Sequence, residues 1–374
     1  MQPSTKIESQ RKAADSQGPQ VGRMLVGLLA LVATLAFIWL GFVFLRGSQE
    51  ALPKIATTLL AIVWGVGGVA ALFVTANYLA EQFPDAVKQY LRPFIFVGPA
   101  VFLLGWFLFL PTLRTLYLSF LNSDSTRFIG LDNYIYAFTD RAMLVTFRNN
   151  LLWVVFGTAG CVVFGLLVAV LADRSKFENL AKALIFMPMA ISFVGASVIW
   201  RFIYYYAPPG APQIGLLNAV VIGLGGEPQA WTSLFQPWNN LLLIVIMIWL
   251  QTGFAMVIFS SAIKAISTEI IEAARVDGAN ELQVFFQIMI PAIRNTIIAV
   301  TTTIVIFSLK IFDVVIVMTG GQFGTDVIAT QFYRQLFTSR DFGRGAAIAI
   351  VLLIAVSPVI FYNLRQVNKQ EGFR

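Results

Sequence analysis

Eight apolar runs dominate this chain, each close to the ~20 residues a helix needs to cross ~30 Å of hydrocarbon. They are Met24–Leu45, Ile55–Leu79, Phe94–Tyr117, Leu151–Ala172, Ala183–Ile203, Asn240–Ile263, Thr296–Met318 and Gly345–Leu364. Inside lipid a backbone must satisfy its own polar groups, so runs of this kind fold as helices. The expectation is an all-α integral membrane protein with eight transmembrane helices. Pro99 and Pro111 should kink the third, Pro188 sits early in the fifth, and Pro358 sits late in the eighth.

Composition supports the bilayer reading. Of 374 residues 58% are hydrophobic and only 12% charged, against about 25% in a soluble domain. The first run has 22 residues. It outlasts a signal-peptide core of about 7–15 and no small-x-small cleavage site follows it, so it reads as a retained helix. The chain contains no His, which excludes a His-based triad, metal site or proton relay. Its one cysteine, Cys161, allows neither an internal disulfide nor a cysteine zinc cluster. No G-x-x-x-x-G-K-[ST] occurs, so there is no P-loop. The net charge of +7 suits basic loops at a membrane better than nucleic acid, whose binding signatures are absent.

Eight helices put both termini on one side. Residues 1–23 are polar and read as a cytoplasmic disordered tail. Placing that tail, 80–92, 173–182, 264–295 and 365–374 together gives 15 Lys/Arg, against 9 opposite. The excess assigns the N- and C-termini to the cytoplasm. The loop 264–295 then becomes a cytoplasmic insertion with helical patterning. Ser267 or Thr268 can cap its start, and Glu269 and Glu272 suit the positive helix end. Asp277-Gly278 is a turn signal. Leu282, Phe285, Phe286 and Met289 recur at helical spacing beyond it, and Pro291 precedes the next run. The pattern predicts a helix–turn–helix outside the bilayer.

Within that loop the sequence reads Glu272-Ala273-Ala274-Arg275-Val276-Asp277-Gly278-Ala279, then Phe285, Ile288 and Pro291. This resembles the EAA loop of ABC importer permeases, with Gly278 four beyond Ala274, Ile288 ten beyond Gly278, and Ile290 replacing a Leu. The likeness extends over residues 94–370, the six-helix core of maltose-type carbohydrate permeases. Phe128-Ile129-Gly130-Leu131-Asp132-Asn133-Tyr134, Asn150, Phe186-Met187-Pro188, Trp200, Gly215-Leu216-Leu217-Asn218, Phe312-Asp313 and Thr319-Gly320-Gly321 resemble family positions. Where the common pattern continues T-G-G-G-P, Gln322-Phe323-Gly324-Thr325-Asp326 stands here, which is similar to the α-glucoside branch.

The resemblance implies four segments: the tail 1–23, two additional N-terminal helices in 24–93, a six-helix permease domain in 94–364 carrying the coupling loop 264–295, and a cytoplasmic tail 365–374. It implies a subunit of a binding-protein-dependent importer in the prokaryotic inner membrane, moving a sugar by alternating access. The chain would be no enzyme and hold no cofactor, with ATP and Mg²⁺ on an ABC ATPase dimer. Its other partners would be a second permease subunit, forming a heterodimer, an extracytoplasmic sugar-binding protein and membrane lipid. In the coupling loop Ala273, Ala274 and Ala279 are small enough to sit deep in a cleft and Gly278 allows a sharp bend. Glu272 and Asp277 can cap or pair with basic groups, and Phe285 offers an apolar anchor.

Charges inside membrane helices suggest function. Lys310 and Asp313 lie three apart in the seventh run and so share one helix face. They can form a polar wall for sugar hydroxyls or a neutralised packing pair. Trp249 and Gln251 can supply a stacking ring and an amide, or pack between helices. Thr301, Thr302 and Thr303 more often bond their own backbone. Tyr204-Tyr205-Tyr206 with Arg201 could stack a sugar, but more often form an aromatic belt with a snorkelling Arg. Cys161 reads as packing, and Gly65-Val66-Gly67-Gly68 permits close helix approach. An ion-coupled secondary sugar transporter using Asp313 is the competing reading.

Overall fold

A computed structural model describes residues 21–48, 52–208 and 210–371. It is all-helical as expected: among the described residues there is no strand, only an isolated bridge between Leu121 and Phe128. Most of the tail 1–23 lies outside the described residues, and α1 begins at Val21.

Among the described residues six helices are long and apolar enough to span a bilayer: α1 Val21–Gly47, α2 Lys54–Glu81, α3 Asp85–Leu118, α5 Arg141–Asp173, α9 Trp238–Lys264 and Phe342–Asn363 within α15 Phe342–Glu371. Short α4 Asp132–Thr139 precedes α5, and α8 Leu216–Gly223 precedes α9. The C-terminal tail expected from 365 continues α15 to Glu371. Two further pairs meet the same test only if each counts as one span. They are α6 Glu178–Ala190 with α7 Phe193–Ile203, bent by 102°, and α11 Glu281–Ala292 with α12 Arg294–Leu309, bent by 72°.

Two expected straight helices are therefore broken. Ala183–Ile203 is interrupted because Pro188 enters a 3₁₀ turn, Met187–Ala190, and Ser192 then caps α7 by accepting from Gly195 N at 3.1 Å. Thr296–Met318 ends as a helix at Leu309 and resumes as α13 Asp313–Met318. The break is held from outside: Asn150 Nδ2 donates to the Leu309 carbonyl at 3.2 Å, satisfying a group that continued helix would have used.

The chain forms two compact units, divided between Leu113 and Arg114. In the first, α1 packs on α2 through glycines. A Cβ on Gly41 would fall 1.7 Å from Trp64 Nε1, and one on Gly68 would fall 3.0 Å from Ile38. Gly65 and Gly67 have open space instead. In the second unit α9 is the central element. Gly165 of α5 lets it approach so closely that an added Cβ would sit 2.5 Å from that of Ala255. Trp153, Leu243, Ile244, Met247, Met256 and Phe259 are all buried around it. Cys161 is buried there too, its Sγ 4.0 Å from the Met247 carbonyl.

Candidate functional site: a helical knob and a polar lattice

The loop after α9 folds as α10 Thr268–Val276, a tight turn, and α11. Gly278 closes α10 with φ +87°. Ala279 N donates to Ala274 O and Gly278 N to Arg275 O, a Schellman closure that a side chain at position 278 would strain. Nothing lies within 4 Å of a Cβ built on Gly278, so backbone conformation rather than crowding calls for glycine. Asn280 and Gln283 then form a reciprocal capping box at the start of α11, at 2.9 and 2.8 Å.

The knob sorts the EAA-like residues into two faces. Ala274, Ala279 and Phe285 turn inward and pack against the hydrophobic core, and Ile288 is half-buried. Glu272, Ala273, Asp277, Gly278 and Pro291 are exposed. The two neighbouring aromatics divide likewise: Phe286 faces out, edge-on to Phe285 at 4.8 Å. Val276, Leu282 and Ile270 are exposed as well, Val276 at 87%. The tip is thus apolar and unpartnered, with carboxylates beside it. An open cleft of about 390 Å³ lies at its base, lined by Ala262, Ile266, Ile270 and Ile293 among others.

Two charge clusters fasten this end, and neither was legible as a contact in the sequence. Glu281 lies between Arg174 at 2.5 Å and Arg275 at 3.0 Å, which ties the knob to the end of α5. The hydrogen bonds from Arg275 and then Arg174 hold its carboxyl below the usual range. Nearby, Lys182 reaches Asp173 at 2.5 Å and Glu178 at 2.6 Å, Lys264 also pairs with Glu178, and Ser260 donates to Asp173 at 2.7 Å. These contacts join the ends of α5, α6 and α9.

At the other end of α9 lies a buried polar lattice. Asn149 donates to the carbonyls of Gly324 and Asp326 at 2.6 and 2.7 Å. Asn239 donates to Phe323 O at 2.8 Å, and Asn150 accepts from Ile328 N at 2.8 Å. The segment they hold, Thr319–Val327, carries left-handed residues at Gly320, Gly321, Phe323 and Gly324. Asp326 accepts from Thr330 and Gln331, each at 3.0 Å, and pairs with Arg334 at 2.8 Å. Burial still pushes its carboxyl above the ordinary value. α14 Ile328–Tyr333 follows directly. Asn150, which directly precedes the apolar run Leu151–Ala172, is therefore a mid-helix residue of α5 that supports the lattice.

The four proposed substrate residues are not brought together. Lys310 is exposed beyond the end of α12, and Asp313 opens α13, half-exposed. The break between them removes the shared helix face expected from their spacing, and they make no ion pair with each other. Trp249 lines an apolar groove of about 530 Å³ with Phe164, Val168, Pro188 and Trp200, its ring edge-on to Trp200 at 5.9 Å. Gln251 is buried elsewhere on α9, and its carboxamide oxygen has no partner. Thr302 bonds its own helix and also Asn363 at 2.6 Å, and Thr303 bonds Ala299 O. Tyr204 is not a belt residue: it is buried, and its hydroxyl donates to Leu242 O at 3.0 Å.

An all-helical chain with six membrane-length helices among its described residues is a multi-pass membrane protein. Residues 161–370 match the family of binding-protein-dependent transport system inner membrane components, and the chain belongs to that family. It is 54% identical over 280 residues to the osmoprotective compounds uptake permease protein GgtC of Synechocystis, a match covering 75% of this chain and all of the relative. It is 45% identical over 335 residues to the α-glucoside transport system permease protein AglF of Rhizobium meliloti, covering 86% of this chain and 99% of the relative. A chain in the crystal structure of a bacterial ABC transporter that imports the acidic polysaccharide alginate shares the fold, with TM-score 0.65 and 20% identity, over 76% of this chain and 98% of that one.

Proposed function

We propose that this chain is the permease subunit through which a neutral sugar, an α-glucoside or other di- or oligosaccharide, enters the cell. In this reading the interrupted runs Ala183–Ile203 and Thr296–Met318 each count as one crossing, giving eight spans and cytoplasmic termini, with α11 in the knob outside the bilayer. Residues 24–93 are two accessory helices, and 94–364 form the permease domain. A second permease subunit completes the pathway, and an extracytoplasmic binding protein delivers the sugar. The chain carries no cofactor of its own; ATP and Mg²⁺ belong to a partner ATPase dimer.

The observation that carries this reading is the knob. Glu272, Ala273, Asp277 and Gly278 are presented outward beside exposed Val276, Leu282 and Phe286, while Ala274, Ala279 and Phe285 seat the base in the core. A compact apolar tip flanked by carboxylates suits a cleft with basic groups. The Glu281 tether joins that tip to the end of α5, and the Lys182 cluster joins that end to α6 and α9, so a push on the tip reaches three membrane helices. Lys310, Asp313, Trp249 and Gln251 are the residues proposed to meet the sugar inside the membrane. Family membership favours this reading over ion coupling through Asp313.

The test is co-purification of the full chain with its ATPase and binding protein, followed by a sugar panel for stimulated ATP hydrolysis. An α-glucoside should stimulate hydrolysis, and uptake should stop with vanadate while resisting a protonophore. Uptake that collapses with the protonophore at constant ATP contradicts the proposal.

A further inference from the structure

The end of α7 builds a polar cavity distinct from the apolar Trp249 groove, and neither Lys310 nor Asp313 lines it. Tyr204 forms its floor, with its hydroxyl bonded to Leu242 O near the start of α9. The knob follows the far end of α9, roughly 30 Å away along the helix axis. The cavity holds about 250 Å³, at the small end of ligand pockets, which run about 300–1,000 Å³. That is room for one sugar ring.

Its walls are preorganised by one buried side chain. Asn218 Nδ2 donates to Tyr205 O at 3.0 Å and to Gln229 O at 3.1 Å. Asn218 Oδ1 accepts from Gln229 N at 2.9 Å and from Trp231 Nε1 at 3.0 Å. The tyrosine wall on one side and the wall of Ala230, Thr232 and Ser233 on the other are therefore locked together. Met318, the last residue of α13, closes the cavity next to the lattice segment. Among the described residues Arg201 lines this space with neither an ion pair nor a hydrogen bond, and no carboxylate lines it. An aromatic belt with a snorkelling Arg faces lipid and has no wall opposite; here residues 230–233 supply one.

We propose that this cavity is an entry subsite for a single neutral, hydroxyl-rich ring at the extracytoplasmic mouth of the pathway. Guanidinium donors match adjacent ring hydroxyls in a plane. Tyr205 and Tyr206 offer rings to the C–H face of a sugar. The hydroxyls of Thr232 and Ser233 can accept, Ser233 already donating to Ala230 O at 3.1 Å. An anion would gain little, because one exposed cation at a solvated rim contributes weakly. The position assigns the subsite to solute arriving from outside, before the Lys310–Phe312 break. The subsite rests on the sugar-import reading, but its test needs neither ATPase nor transport.

The full-length chain in nanodiscs should be titrated with methyl α-glucoside, a neutral single ring, and with glucuronate, its acidic counterpart. Saturation-transfer NMR reports binding and which ring protons touch aromatic side chains. Methyl α-glucoside should bind in the millimolar range, with glucuronate no tighter. Arg201→Gln and Tyr206→Ala should each weaken binding about tenfold, and Arg201→Lys less than Arg201→Gln. No saturable binding by the wild-type chain up to about 50 mM overturns the proposal. So does equal affinity in wild type, Arg201→Gln and Tyr206→Ala, or tight binding of glucuronate alone. If the subsite fails while the sugar panel still stimulates ATP hydrolysis, the import reading stands without it; loss of that stimulation alone leaves the subsite intact.

Discussion

The two ends of α9 are built on opposite principles. At the knob, Glu272, Ala273, Asp277 and Val276 point outward on a turn held by local bonds, and a Cβ at Gly278 would meet open space. At the lattice, buried Asn149 and Asn239 spend their amides on backbone carbonyls of one irregular segment, and buried Asn150 bridges the Leu309 carbonyl and the Ile328 N–H on either side of it. Polar groups inside a fold are costly unless bonded, so the lattice fixes a shape. An exposed apolar tip on a solvent-facing turn is costly unless covered, so the knob asks for a partner. The difference teaches that rigidity and docking are separated along one helix.

The largest expected effect breaks the knob. Gly278→Val forces a branched side chain to φ +87°, a strain of about 1–3 kcal/mol. Sugar-stimulated ATP hydrolysis should fall about tenfold or more while the membrane domain stays inserted and folded. Wild-type rates with the ATPase bound would show that the turn transmits nothing.

The lattice should respond in the opposite sense. Asn149→Ala strips two donated bonds from buried carbonyls, costing about 2–4 kcal/mol. Thermal unfolding in detergent should move down markedly, with ATPase binding at the knob unaffected. Unchanged unfolding would mean that the Thr319–Val327 segment is held by something other than Asn149.

Asp313→Ala probes the residue that opens α13 after the helix break. Uptake should weaken several-fold, as loss of a charged hydrogen bond does, with assembly intact; unchanged affinity and rate would remove Asp313 from the substrate path. The smallest effect belongs to Glu281→Ala. Its two ion pairs are solvent-exposed, so global stability should hardly move. Hydrogen exchange across 268–292 should nonetheless quicken, because the tether to α5 is gone. Unaltered exchange there would assign the tether no role.

Much of this contrast was legible in the sequence, and the misses share a cause. Periodicity and the Asp277-Gly278 signal located the helix–turn–helix because helix faces and turn chemistry are local. Apolar length located the helices for the same reason. The break at Lys310–Phe312 was hidden because the group that stabilises it, the Asn150 amide, arrives from α5 about 160 residues earlier. The Lys310–Asp313 spacing argument failed with it, since three residues share a face only on a continuous helix. The Glu281 and Lys182 clusters were missed because charge counting treats loop residues as a sum. The Asn280–Gln283 capping box had a readable signal, Asn and Gln three apart before an apolar run. The lattice had a weaker one, paired asparagines at 149–150 and 239–240 beside apolar runs that lipid would not tolerate unpaired.

The central claim is that the knob is covered by the ATPase, and the chain's single cysteine makes this directly measurable. Cys161 is buried, so Val276→Cys, at the most exposed apolar position of the tip, places one accessible thiol there. Its labelling by a water-soluble maleimide should be rapid in the isolated chain and strongly suppressed in the complex with the ATPase. Equal labelling rates in the isolated chain and in the assembled, active transporter would contradict the account.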